Sequence, residues 1–173
     1  MKKILFLSFL AMIVIAETTA QEIKWMDITE AEKQCKENPK QIFIDVYTDW
    51  CGWCKRMDSQ TFAKPEVAKY MNETFYCVKL DAESTKTIRF NGTDFTPSEQ
   101  KANSKRKPVH MLAATLLQGN MSYPSYVFLT PNNEVITVVK GFREAPEMLN
   151  ILKYIGTDAY KTQTPEEFIE KNK

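Results

Sequence analysis

Ile42-Phe43-Ile44-Asp45-Val46-Tyr47-Thr48-Asp49-Trp50-Cys51-Gly52-Trp53-Cys54-Lys55 is the stretch whose reading decides the fold. Its first half is too apolar to keep one face wet, so it reads as a central strand covered on both sides. Two cysteines then fall where that strand gives way to a helix. The first thiol sits at the helix N-terminus, where unpaired backbone N–H groups and the helix dipole stabilise a thiolate. The second lies one turn further on, within reach of the first. Zinc sites use the same C-x-x-C spacing, so the surroundings must discriminate between metal and redox chemistry.

Those surroundings favour redox. Among 173 residues there are four cysteines and a single histidine, His110, and no second C-x-x-C completes a zinc set. No metal or other cofactor is expected beyond a redox-active Cys51–Cys54 disulfide. Met1-Lys2-Lys3 is a short basic start, residues 4–16 are apolar or small, and Thr18-Thr19-Ala20 offers a cleavage site before Gln21. Residues 1–20 are therefore expected to be a secretory signal peptide. The apolar stretch is shorter than the roughly 20 residues a spanning helix needs, so no stable membrane insertion is expected after cleavage. An uncleaved anchor is the alternative. An oxidising compartment, the bacterial periplasm, suits a C-x-x-C that cycles between dithiol and disulfide. With 23 basic and 22 acidic residues the net charge is +1, which argues against a nucleic-acid partner.

Residues 21–173 are the size of one domain. Short apolar runs alternate with helical stretches, as in strands joined by crossovers. Strands are expected at 22–27, 41–47, 74–81, 126–129 and 134–139, the last two forming a hairpin through Thr130-Pro131-Asn132-Asn133. Helices are expected at 29–38, 51–59, 65–72, 109–117 and 145–155, with a short amphipathic segment at 165–169 inside a polar extension spanning 156–173. Residues 82–108 break the order. They are polar, carry Gly92, Pro97 and the basic residues Lys101, Lys105, Arg106 and Lys107, and read as a surface insertion with a short strand or turn at 88–95.

The strand–C-x-x-C–helix unit resembles the thioredoxin superfamily. Trp50 stands directly before Cys51, Asp45 lies at the place of the family's buried acid, and Lys79 matches the lysine beside that acid. Tyr123-Pro124 precedes the hairpin where the family keeps a cis-proline, and Gly141 matches its late glycine. The resemblance covers residues 22–155 apart from the insertion. It implies an α/β, thioredoxin-like fold: a central mixed sheet flanked by helices, with the insertion between the third core strand and the following helix.

The resemblance also implies roles. An exposed Cys51 would be the nucleophile, and a more buried Cys54 would resolve the mixed disulfide. Asp45, raised in pKa by burial, would exchange a proton with Cys54, and Lys79 would tune it. Trp50, Gly52, Trp53, Tyr123 and Pro124 would form the substrate-binding rim, with a cis bond at Pro124 leaving the backbone of Tyr123 free for an extended peptide. Cys35 and Cys77 read as separate buried thiols, with a second disulfide as the alternative. His110 reads as a helix-start residue and not as a ligand. Gly52-Trp53 lacks the histidine of oxidising members, which favours a reductase of exported protein disulfides. Such a reductase implies a membrane dithiol as electron donor. An oxidase or isomerase, or a non-catalytic binding module presenting Trp50, Trp53 and Tyr123, are the alternatives. The insertion is the expected source of partner specificity.

Overall fold

The computed structural model of the protein describes residues 22–99 and 107–172. The expected leader and Lys101, Lys105 and Arg106 lie outside them. A five-stranded mixed sheet runs β1 (Trp25–Met26), β3 (Phe75–Asp81), β2 (Gln41–Tyr47), β6 (Ser125–Leu129), β7 (Val135–Lys140) across its width. β1 and β2 are both parallel to β3, β6 is antiparallel to β2, and β7 is antiparallel to β6. The central strand falls at the residues its composition predicts. The edge strand is shorter than expected, two residues in place of six, and Asp27 leaves its end to cap the next helix.

Alternation along β2 divides the core. Ile42, Ile44 and Val46 face one side, under α1 (Ile28–Glu37) and α4 (Met111–Leu116). Phe43 faces the other, packed with residues of α3 (Pro65–Thr74) and α5 (Ala145–Gly156). Asp45 shares the Phe43 side, which α2 (Gly52–Arg56) and its continuation also cover.

The helices form where side-chain chemistry supports their ends. Asp27 accepts the Glu30 N–H at 2.8 Å, and Ile28, Ala31 and Cys35 bury one stripe of α1. Pro65 starts α3 at a position where its missing N–H costs nothing. The cysteine-bearing helix runs on as a π-helical stretch, Met57–Phe62, which turns Met57, Thr61 and Phe62 inward. α6 (Pro165–Lys171) opens with a Thr164–Glu167 capping box and docks Phe168 against Tyr154 at 5.5 Å, so the C-terminal extension is more than a polar tail.

The insertion carries strands at the residues where a short strand or turn is expected, but they are docked on the core. β4 (Ile88–Phe90) and β5 (Thr93–Phe95) form a hairpin through Asn91-Gly92, both at positive φ, as a two-residue turn requires. Phe90 is buried in the α1/α4 layer. Thr29 Oγ1 donates to Arg89 O at 3.0 Å, and Glu32 accepts the Asn91 N–H at 3.2 Å. Glu32 also accepts from Asn133 in the β6–β7 turn, so the hairpin tip lies at the sheet end opposite the cysteines. An apolar residue amid polar neighbours had a core to enter.

Candidate active site around the Cys51–Cys54 disulfide

β2 ends at Tyr47, and Thr48 O accepts the Cys51 N–H at 3.1 Å, turning the chain into α2. Cys51 is the N-cap and not the first helical residue. Its Sγ accepts the Cys54 N–H at 3.0 Å and is bonded to Cys54 Sγ, the Cα atoms 5.3 Å apart. Both cysteines are buried, Cys51 at 4% and Cys54 at 3% exposure, which corrects the expectation of an exposed first thiol. In the disulfide, the Cys51 side chain folds back over its own helix start instead of pointing outward. Cys35 and Cys77 are free and buried, and burial pushes the Cys77 thiol up to about 12.

Aromatic rings flank the pair. Trp50 and Trp53 are 65% and 53% exposed, far more than tryptophan normally is. Trp50 meets Tyr123 edge-on at 5.9 Å, and Trp53 meets Phe142 at 5.6 Å with the Arg56 guanidinium 4.9 Å above its ring. Among the described residues, nothing would lie within 4 Å of a Cβ added at Gly52, between the two tryptophans. The Tyr123–Pro124 peptide is cis, Pro124 is buried, and its carbonyl accepts the Gly141 N–H at 2.8 Å. Gly141 adopts φ +85°, which explains a glycine after the last strand.

Beneath the helix, sheet register assembles an ionisable cluster. Asp45 pairs directly with Lys79 in β3 and with Tyr126 in β6. Lys79 Nζ lies 3.3 Å from Asp45 Oδ2 and also donates to Asp58 Oδ1. It sits over the rings of Tyr47 and Trp25, at 5.0 and 5.1 Å. Asp45 is 1% exposed, and its Oδ1, like the Tyr126 hydroxyl, has no hydrogen-bond partner among the described residues. Burial pushes the Asp45 carboxyl up to about 7, Lys79 opposes the rise, and Asp58 adds to it. A cleft of about 430 Å³ lined by Trp25, Asp58, Phe62 and Lys79 reaches the outer edge of this cluster, while Asp45 and Tyr126 stay buried behind it.

Sequence reasoning overlooked Asp58, Tyr126 and Glu83. Asp58 lies four residues after Cys54 and so shares its helix face, a signal that was legible. Glu83 accepts the Trp50 Nε1–H at 2.9 Å, a pairing across 33 residues with no local trace. His110, read as a helix start, is the N-cap of α4 and completely buried. Its Nδ1 accepts the Leu112 N–H and its Nε2 faces Lys86 O at 3.0 Å. Among the described residues, no group of three or more His, Cys, Asp or Glu is placed to hold a metal ion, and no helix is long and apolar enough to cross a membrane.

The comparisons with known proteins agree with this geometry. A family model described as "Thioredox_DsbH: Protein of unknown function, DUF255" matches residues 12–91. The "Thiol:disulfide interchange protein DsbD" of Haemophilus influenzae is 28% identical over 80% of this chain, which spans 21% of that protein. An uncharacterized protein of Caenorhabditis elegans, B0495.5, is 30% identical over 62% of this chain, which spans 12% of it. The chain thus spans only a small part of the curated relatives it matches first. A solved structure titled as a putative disulphide-isomerase from Bacteroides thetaiotaomicron is 26% identical, with a TM-score of 0.57 over 84% of this chain and 99% of its own. The fold, with its helix-capping C-x-x-C, is thioredoxin-like. In fold and in the placing of its cysteines the chain resembles thioredoxin-superfamily thiol-disulfide oxidoreductases.

Proposed function

We propose that the protein is an exported thiol-disulfide oxidoreductase that reduces disulfides of exported proteins through the Cys51/Cys54 dithiol. The observation that carries this reading is a C-x-x-C disulfide capping a helix above a buried, lysine-paired carboxyl. In the reduced protein, the Cys51 thiolate attacks one sulfur of a substrate disulfide. That S–S bond breaks, and the other substrate sulfur leaves as a thiolate and takes a proton. Cys54 passes its proton to Asp45 and attacks Cys51 Sγ, forming the Cys51–Cys54 bond and releasing the second substrate thiolate. Two electrons move from the dithiol to the substrate. Lys79 tunes Asp45, and the rings of Trp50, Trp53 and Tyr123, with Gly52 between the cysteines and Pro124 beneath, receive the polypeptide around the sulfur.

An exported reductase needs electrons its compartment does not hold, so the partner is a membrane dithiol, in keeping with the similarity to DsbD. The bacterial periplasm is the proposed location, and residues 1–20 the leader that directs the chain there. Insulin reduction by the wild type and by Cys51→Ser tests the chemistry: the variant is expected to be inactive, and equal activity would leave only a binding module. Equilibration with glutathione tests the direction. A potential more reducing than about −200 mV is expected, and one near −120 mV would make the protein an oxidase.

A further inference from the structure

The two ends of the insertion return to the active-site rim although its hairpin tip lies at the far end of the sheet. At the first end, Ala82 N donates to Tyr47 O at 2.8 Å, and Ala82 O accepts the His110 N–H at 2.7 Å. Glu83 N donates to Asp81 Oδ1 at 2.9 Å, which fixes the turn. The other end is held as firmly, by Ser98 N to Val109 O at 2.7 Å and Met111 N to Thr96 O at 3.0 Å. His110, between them, also faces Lys86 O at 3.0 Å.

From this clamped base Glu83 reaches the residue before the first cysteine. Its Oε1 accepts the Trp50 Nε1–H at 2.9 Å, and Trp50 in turn stands edge-on against Tyr123 at 5.9 Å. Glu83 is largely enclosed, its side chain 12% exposed, and Lys107 at the other root bridges it to Asp49, at 3.9 and 3.6 Å. A ring 65% exposed would otherwise turn freely between rotamers, at an entropic cost whenever a partner docks on it.

The geometry points to Glu83 as a positioning residue: the insertion holds Trp50 in one orientation and so builds the insertion-side wall of the groove that receives a disulfide-bearing polypeptide. This rests on the redox reading above. A protein substrate touches that wall, whereas a small disulfide needs little beyond the sulfur itself. The wall therefore sets preference between substrates and not the chemistry of the dithiol.

The test mixes prereduced protein with insulin or with oxidised glutathione and compares the two rates. For Glu83→Leu the insulin-to-glutathione ratio is expected to fall about tenfold, the loss of one hydrogen bond to a charged acceptor. Glu83→Gln keeps an acceptor oxygen and is expected to stay within about twofold of wild type. Trp50→Phe keeps a ring without the donor and should fall as Glu83→Leu does, with no further fall in the double variant. Hydrogen exchange of the Trp50 indole N–H supplies a second reading, protected in the wild type and Glu83→Gln and unprotected in Glu83→Leu. A wild-type ratio or a protected indole in Glu83→Leu overturns the inference, as does an equal loss in Glu83→Gln. A wild-type protein that reduces neither disulfide overturns the redox reading itself.

Discussion

Asp45 concentrates the energetics of the site in one side chain. A carboxyl inside an apolar strand is expensive to ionise, and the pairing with Lys79 recovers only part of that cost. Its proton is held up to about pH 7, against an ordinary value near 3.8. A group raised in the folded state stabilises below its unfolded pKa, and that stabilisation is lost as pH climbs through the folded value. Wild-type stability is therefore expected to fall by a few kcal/mol between pH 4 and pH 8 relative to Asp45→Asn, measured by urea denaturation of both. In single-turnover reduction the same variant is expected to slow mixed-disulfide resolution by about 100-fold at pH 7 to 8. Asp58 and Lys79 pull the profile in opposite senses. Asp58→Asn removes a negative neighbour and frees Lys79 for Asp45, so the inflection moves to lower pH; Lys79→Met moves it to higher pH. Equal profiles in all three proteins would detach the cluster from the chemistry.

At the scale of elements, the C-terminal end of α5 leaves no room for a side chain at Gly156. A Cβ on Gly156 would lie 2.6 Å from Thr74 Cγ2, 2.9 Å from the Tyr70 hydroxyl and 3.2 Å from Phe75 Cζ. The close approach, and not backbone freedom, requires glycine there. Gly156→Ala is expected to cost about 1–3 kcal/mol, despite alanine's better helix propensity, and calorimetry would show it. The base of the insertion is held by polar contacts through His110. His110→Leu leaves the Leu112 N–H and Lys86 O without partners and is expected to cost about 2–4 kcal/mol, read from chemical denaturation. Strand and helix limits were legible where local chemistry sets them: the apolar run of β2 and Pro65 at the start of α3. The β4–β5 hairpin carried the Asn91-Gly92 turn signal, but its docking on α1 needed the tertiary fold.

For the whole molecule, two apolar layers on either side of one sheet enclose the free thiols separately, Cys35 in the α1 layer and Cys77 in the α3/α5 layer. They lie on opposite faces, which keeps them apart. Neither thiol of the oxidised protein is expected to react with iodoacetamide until the protein is unfolded, and mass spectrometry of labelled peptides would count them. The aromatic cluster around Phe43, with Phe62, Tyr126 and Phe128 at 5.9, 5.7 and 5.2 Å, ties β2, β6 and the π-helical continuation of α2 together. The helix that carries the disulfide therefore runs on into this aromatic cluster.

The amino-acid order alone determined the central strand, the cysteine pair at a helix start, the acid behind it and the thioredoxin-like order of elements, because each depends on neighbours close in the chain. Only the tertiary structure decided the rest. Helix docking brought Asp58 to the Lys79 ammonium, which parallel register sets beside Asp45 as the resemblance implied. The returning insertion set Glu83 against Trp50, and the closed disulfide buried the thiol expected outside. Apart from the disulfide, those contacts join residues 21 to 34 positions apart, and no local pattern encodes which partner a folded chain will bring to a given side chain.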